Sequence, residues 1–339
     1  MKKVLLIVAI IFATTITASA QFSGGSGTQA APYQITSKAD MEALADSIYN
    51  NNLYSSVYAS KYYIVMNDIT DSVTKIIGRA LDSTGVYNFS FNGIFDGCGH
   101  KITFSLNDDT GRVAPFGSNT GTIKNLIIDG KITGLRCSGV CFLNDTGAII
   151  SNCTNASNVE SAVGGINQNA AGVVNVNFGI IDYCSNTGTI TGQYAPSGGI
   201  CYDIRRTGVI SNCTNIGTIQ GNMAAGIVAR NEPNVNPQLR MTITKCVNSG
   251  LIKGSSYTGG IIAVISACAD VLKCINTNEL IGNNHLGAIV GFIPFAVTGY
   301  TITDCFYDIQ MCKYKAVNNQ DHPGVTGLPT HLLMEELAK

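Results

Sequence analysis

From residue 121 onward the apolar positions come in bursts of two or three, cut by glycine, and the bursts recur. Gly208-Val-Ile-Ser-Asn-Cys213-Thr-Asn-Ile-Gly217-Thr-Ile-Gln-Gly221 is followed by Ala225-Gly226-Ile227-Val228. The same frame reads Gly179-Ile-Ile-Asp-Tyr-Cys184-Ser-Asn-Thr-Gly188-Thr-Ile-Thr-Gly192, then Gly198-Gly199-Ile200-Cys201. An earlier copy has Leu126 where the others have cysteine. An aliphatic residue stands three positions before each anchor, at Ile123, Ile150, Ile181, Ile210, Ile243, Val271 and Ile302. Another stands six after, at Ile132, Val159, Ile190, Ile219, Ile252 and Leu280. Each unit is therefore three short β segments separated by turns, with no stretch long enough for a helix.

The anchors Cys153, Cys184, Cys213, Cys246, Cys274 and Cys305 are spaced 31, 29, 33, 28 and 31 residues apart. A unit of that size cannot bury its apolar side alone and must stack on its neighbours. Stacked at the parallel strand spacing of about 4.8 Å, like positions form lines along an axis. The pattern predicts an all-β, single-stranded parallel β-helix with about 30 residues per coil, running through seven rungs from Leu126 to Cys305. It is expected to be right-handed, as parallel crossovers are.

Two further columns agree. Asn155, Asn186, Asn215, Asn248 and Asn276 lie two residues after their anchors, where stacked amides can bond one another and the turn backbone. Gly130, Gly188, Gly217, Gly250 and then Asn278 lie four after, a pattern that predicts a left-handed backbone there. Because Leu126 fills the anchor position once, the anchor cysteines read as a buried thiol stack. Bridges along the ladder would have to span too great a distance, and zinc would want CxxC pairs or nearby histidine, so no metal is expected. Cys137 with Cys141, and Cys305 with Cys312, are close enough in sequence to leave pairing open.

The ends depart from the repeat. Lys2 and Lys3, an apolar run from Val4 to Phe12, and Ala18-Ser19-Ala20 together read as a cleavable export signal over residues 1–20. Residues 21–120 are expected to hold a capping helix and irregular first coils, with Ser37 as N-cap and Met41, Leu44, Ala45 and Ile48 on one face. Residues 121–312 carry the repeats. Residues 313–339 form a tail, with Leu332, Leu333, Met334 and Leu337 in a short capping helix. The stretch from Leu286 to Val297 is too short for a bilayer, contains Pro294, and is read as a buried strand. The processed chain is thus expected to be secreted or surface-exposed and not inserted in a membrane.

Composition narrows the function classes. Only 13% of the 339 residues are charged, Gly numbers 37, and 21 basic against 22 acidic residues leave a net charge of −1. Nucleic acid is excluded as the expected partner on that balance.

The repeats resemble the GLUG-motif family of exported bacterial β-helices. The likeness rests on Gly208-Val-Ile-Ser-Asn-Cys213-Thr-Asn, on the strand cores Gly198-Gly199-Ile200-Cys201 and Gly287-Ala-Ile-Val-Gly291, and on Phe91-Asn-Gly-Ile-Phe-Asp-Gly97 and Asp304-Cys-Phe-Tyr-Asp308. The resemblance implies a surface or secreted adhesin-like protein. Some members carry a metallopeptidase domain beside the repeats, but no HExxH occurs here.

The expected function is therefore a non-catalytic binding module for a glycan or an extracellular host or matrix protein, with no cofactor. Candidate contacts are the charged and aromatic residues where coils connect: Tyr202, Asp203, Arg205, Arg206, Arg230 and Glu232. The alternatives are a polysaccharide lyase or glycoside hydrolase on the same fold, or a structural spacer. For the enzyme, the outward column Asn152, Tyr183, Asn212, Lys245, Lys273, Asp304 offers one carboxylate where a paired-acid mechanism needs two.

Overall fold

A computed structural model of the protein describes residues 22–49, 57–78, 89–162, 167–232 and 239–337. The expected export signal lies outside the described residues. The chain winds as a parallel β-solenoid whose coils present three faces. The first face is a ten-stranded sheet from Tyr33–Ile35 to Thr301–Thr303, each strand paired in parallel with the next coil's. Its inward column is Tyr33, Tyr63, Phe95, Ile123, Ile150, Ile181, Ile210, Ile243, Val271 and Ile302, in unbroken register. Stacking thus begins three strands before the expected first rung. The early coils were hidden because their column is aromatic: Tyr33, Tyr63, Phe91, Phe95 and Phe116 pack ring to ring with Phe22 at centroid distances of 4.6–6.5 Å.

The second face follows a tight corner. It is continuous in some coils, as in Lys101–Val113 and Ile127–Ser138, and broken in others, as in Thr154–Asn155, Asn158–Ser161 and Asn169–Ala171. The third face is a seven-stranded sheet from Phe116–Asn119 to Val290–Phe292. The stretch from Leu286 holds two short strands, Leu286–Gly287 and Val290–Phe292, around a buried Ala288 and Ile289. It is not one buried strand to Val297: Phe295, next to Pro294, is fully exposed.

The interior lines up as the repeat requires. All six anchor cysteines are buried and unbridged, as are Cys137, Cys141 and Cys312. Each anchor thiol lies 3.1–3.4 Å from the carbonyl oxygen two residues before it. Burial lifts the thiols of Cys153, Cys213 and Cys274 above the usual range, and the hydrogen bond with Cys274, with burial, lifts that of Cys305. At Cys184 and Cys246 burial is outweighed by hydrogen bonds from the neighbouring thiols, which lower them. The asparagine column is a continuous chain. Asn155, Asn186, Asn215 and Asn248 each donate from Nδ2 to the Oδ1 of the next member at 2.7–2.8 Å, ending on Asn276. Each also donates to a backbone carbonyl two residues on. These amides are fully buried, and the ladder leaves none without a partner.

The glycine column is corrected. Only Gly130 has a positive φ there, 105°. Glycine is required for closeness instead: a Cβ on Gly188, Gly217 or Gly250 would sit 1.9–2.0 Å from the carbonyl oxygen of the coil below. The left-handed position is the residue before the anchor. Asn125, Asn152, Tyr183, Asn212, Lys245, Lys273 and Asp304 have φ between 51° and 54°. Three asparagines suit that conformation, while tyrosine and lysine hold it because stacked sheets on both sides dictate the turn.

Helix α1 (Lys38–Tyr49) packs Met41, Leu44, Ala45 and Ile48 into the N-terminal end of the core. Ser37 Oγ accepts the Asp40 amide at 3.2 Å as N-cap, and the Asp40 carboxylate accepts from the Thr36 amide at 2.8 Å and Ser23 Oγ at 2.7 Å. Helix α2 (Thr330–Leu337) packs on Cys305–Asp308 and buries Leu333, while Leu332 and Met334 are exposed. Among the described residues no helix is long and apolar enough to cross a membrane.

Candidate functional site

The candidate contacts expected at coil connections sit partly on strands. Tyr202 and Asp203 belong to Cys201–Ile204, and Arg230 to Val228–Asn231, neighbouring strands of the seven-stranded face with Asp203 in register with Arg230. Arg205 and Arg206 follow in the turn, where Arg206 has a φ of 51°. Glu232 follows the Arg230 strand.

Beside this face the structure has a cleft of about 270 Å³. Arg112, Arg136, Arg205 and Arg230 line it, and among the described residues no carboxylate or lysine does. Phe142, Leu143, Val176 and Phe178 form its apolar walls; Asn167, Asn169, Asn175 and Tyr202 supply polar ones. Arg112 and Arg136 come from the second face, in register on adjacent coils. The cleft thus lies between two faces, across coils that contribute Arg112, Arg136, Asn175, Arg205 and Arg230 in turn. Of the six residues proposed from sequence, Tyr202, Arg205 and Arg230 line it; Asp203, Arg206 and Glu232 do not.

Asp203 serves beneath the surface. Its side chain is fully buried, and Oδ2 accepts from Arg205 Nη2 at 2.9 Å and Arg230 Nη2 at 3.2 Å. Arg205 Nε also lies 3.3 Å from Glu232 Oε2. Burial pushes the Asp203 carboxyl above its usual range, and the two guanidiniums oppose that push without cancelling it. The carboxylate therefore fixes two arginines in place. Guanidiniums also lie over the aromatic walls: Arg112 is 5.4 Å from the Phe142 centroid and Arg230 5.0 Å from that of Tyr202. Arg205 and Arg206 lie 5.8 and 5.1 Å from the centroid of Phe178.

Asn175 is the feature that sequence reading missed most completely. It is fully buried, and its Nδ2 donates to Asn169 Oδ1 at 2.7 Å and to the Cys137 carbonyl at 3.1 Å. Both partners are acceptors, which orients the amide and leaves Oδ1 with no partner. Arg112 and Arg136 were missed as well. The available signal was scarcity: the chain has seven arginines, four of them line the cleft, and Arg206 lies over the ring of Phe178 beside it. A second asparagine ladder also escaped notice, with Asn119 donating to Asn144 at 2.9 Å and Asn144 to Asn177 at 2.8 Å.

Lys245, Lys273 and Asp304, weighed as a charged column for catalysis, form the exposed left-handed corner and do not line the cleft.

A solved structure from Bacteroides ovatus, described as a "putative immunoglobulin A1 protease", superposes on 94% of this chain and 90% of its own. The TM-score is 0.54 and the sequence identity 17%, a likeness that speaks to the fold alone. No family model and no curated protein matches the chain. The resemblance to the GLUG-motif repeats accordingly rests on the motifs.

Proposed function

We propose that this chain is an exported, adhesin-like β-solenoid that binds an extracellular glycan or host protein through the arginine-walled cleft and catalyses no reaction. The reading takes residues 1–20 as a cleaved signal and the mature chain as secreted or held at the cell surface. One observation carries it: four of the chain's seven arginines line one cleft in a chain of net charge −1. Arginines held by a buried carboxylate and stacked on aromatic rings are pre-oriented, and binding then immobilises little more.

An enzyme reading draws on Asp203, a buried carboxyl with its pKa raised, and on the printed name of the B. ovatus protein. Against it, Asp203 faces its two arginines and no carboxylate among the described residues lines the cleft, whereas glycoside hydrolysis needs a pair flanking the bond. The test is a binding screen of the mature chain on glycan and matrix-protein arrays, beside incubation with pectin, alginate, host glycans and immunoglobulin A. Saturable binding lost on alanine replacement of Arg205, Arg206 and Arg230 together supports the binding module. New reducing ends, unsaturated sugars or peptide fragments would establish the enzyme instead.

A further inference from the structure

We propose, building on the binding reading above, that the cleft recognises the acetamido group of an N-acetylated sugar residue. Its N–H donates to Asn175 Oδ1, its carbonyl oxygen accepts from Arg230 Nε, and its methyl lies on Leu143 and Val176. Asn175 is fully buried and lines the cleft, and its Oδ1 has no partner among the described residues. The amide cannot turn over, because the Cys137 carbonyl, 3.1 Å from Nδ2, accepts and never donates. A donor from outside the chain is what this oxygen lacks.

An unused donor stands on the same cleft. Arg230 lines it too, and its Nε is buried without an acceptor among the described residues. The side chain reaches back one coil: Nη2 donates to Asp203 Oδ2 at 3.2 Å, and Asp203 is in register with Val176, the neighbour of Asn175. That ion pair draws the guanidinium toward the Asn175 coil. Leu143 and Val176, in register on adjacent coils, supply aliphatic wall beside Asn175. Acceptor, donor and aliphatic wall are three separate points, and an acetamido group complements each of them. A carboxylate has no hydrogen for Asn175, and an ammonium accepts nothing from Arg230. A hydroxyl does both from one atom but leaves the aliphatic wall bare. At about 270 Å³ the cleft falls just below the range of about 300–1,000 Å³ common for ligand pockets, so it takes one sugar residue rather than a chain. A sugar is favoured over an acetylated lysine by the rest of the lining. Asn167, Asn169 and Tyr202 offer polar atoms to ring hydroxyls, and the methylene stem of acetyl-lysine would leave them unpaired.

Saturation-transfer NMR and calorimetry on the mature chain test this with N-acetylglucosamine, N-acetylgalactosamine and sialyllactose. Glucose, glucosamine, galactose, lactose and an acetyl-lysine peptide serve as counterparts. At least one acetylated sugar should bind about tenfold or more tightly than its hydroxyl or amine counterpart, with the strongest transfer at the acetyl methyl. Which one does so separates a hexosamine from a sialate. Asn175→Ala should weaken that sugar about tenfold, Val176→Ala by about threefold, and Lys245→Gln with Lys273→Gln should change nothing. Thermal melts check folding, and Val176→Ala, which breaks no hydrogen bond, stands in if Asn175→Ala does not fold. Several results would overturn the proposal while leaving the binding module standing. They are equal binding of acetylated and plain sugars, transfer centred on ring protons, tighter binding of the peptide, or a ligand indifferent to Asn175→Ala and Val176→Ala. Binding confined to glycans without an acetamido group would do the same. Failure of every glycan and matrix protein to bind would remove both.

Discussion

The asparagine ladder and the arginine cleft are built on the same coils, yet polar groups are satisfied in opposite ways. In the ladder each amide finds its partner in its own copy one coil away, and the chain of bonds ends on backbone carbonyls. In the cleft unlike residues meet once: Asp203 on two arginines, Asn175 on Asn169, and Arg230 Nε, Asp203 Oδ1 and Asn175 Oδ1 with no partner at all. Repetition closes the interior on itself. Where the repeat lapses at the cleft, three polar atoms are left unmet, and Ser197, Asn222 and Thr258, which do not line the cleft, hold three more.

The sharpest way to break the comparison is to damage one region and measure both. Asn215→Leu removes the acceptor of Asn186 and the donor to Asn248 in a fully buried column. Two stranded groups at about 1–3 kcal/mol each should lower unfolding stability by about 2–6 kcal/mol. Gly217→Ala places a Cβ 1.9 Å from the Gly188 carbonyl oxygen and should cost about 1–3 kcal/mol or more through forced separation of coils. Arg136→Gln, on the cleft wall, should cost under about 1 kcal/mol. Urea unfolding of the three variants is the measurement; a cleft variant as damaging as the ladder variants would erase the distinction.

The contrast also explains how far the sequence could be read. Solenoid architecture, the cysteine and asparagine ladders, the buried face of α1 and its Ser37 cap were legible because each is a periodic signal or a local rule. The three first coils were not, since Tyr33, Tyr63 and Phe95 occupy the column that aliphatics fill elsewhere. Backbone conformation misled: glycine at 188, 217 and 250 answered to crowding, and the left-handed turn fell on Tyr183 and Lys245, where no residue type announces it. Half of the site was found because charged residues were conspicuous near Arg205. The other half comes from Arg112 and Arg136, on coils some seventy to ninety positions earlier in the chain, and only the register brings them alongside.

Two aspartates extend the comparison to pH. At Asp40, burial pushes the carboxyl up, but hydrogen bonds from Thr36, Ser23 and Ser37 outweigh it and the pKa is lowered below 3.8. Its stabilising contribution is present above 3.8 and lost as pH falls through the lower, folded-state value. At Asp203 burial prevails over Arg205 and Arg230 and the pKa is raised above 3.8. Its contribution is full below 3.8 and lost as pH climbs to the folded-state value, because the folded protein there holds a proton that the unfolded chain releases. Melting temperatures of Asp40→Asn and Asp203→Asn between pH 3 and 8 should therefore diverge from the parent in opposite directions. Asp40→Asn loses its deficit on acidification, and Asp203→Asn gains on the parent as pH rises past 3.8. Parallel profiles would mean that the two carboxyls sit in like surroundings, contrary to their bonding.

The smallest effect bears on the corner that separates the first two faces. Tyr183 holds a φ of 51° with its side chain exposed. A left-handed conformation costs an ordinary residue about 1–2 kcal/mol, which glycine avoids. Glycine also frees the unfolded chain, by about 0.5–1 kcal/mol, and the two terms nearly offset. Tyr183→Gly should accordingly leave stability unchanged or raise it by up to about 1 kcal/mol, while Tyr183→Val, branched at Cβ, should lower it by about 1 kcal/mol or more. Gly188→Ala, five residues on in the same coil, should lower it regardless, since its φ is ordinary and its neighbour is too near. If Tyr183→Gly proved as harmful as Gly188→Ala, the corner would be held by the tyrosine side chain, and the stacked faces on either side would not be what dictates the turn.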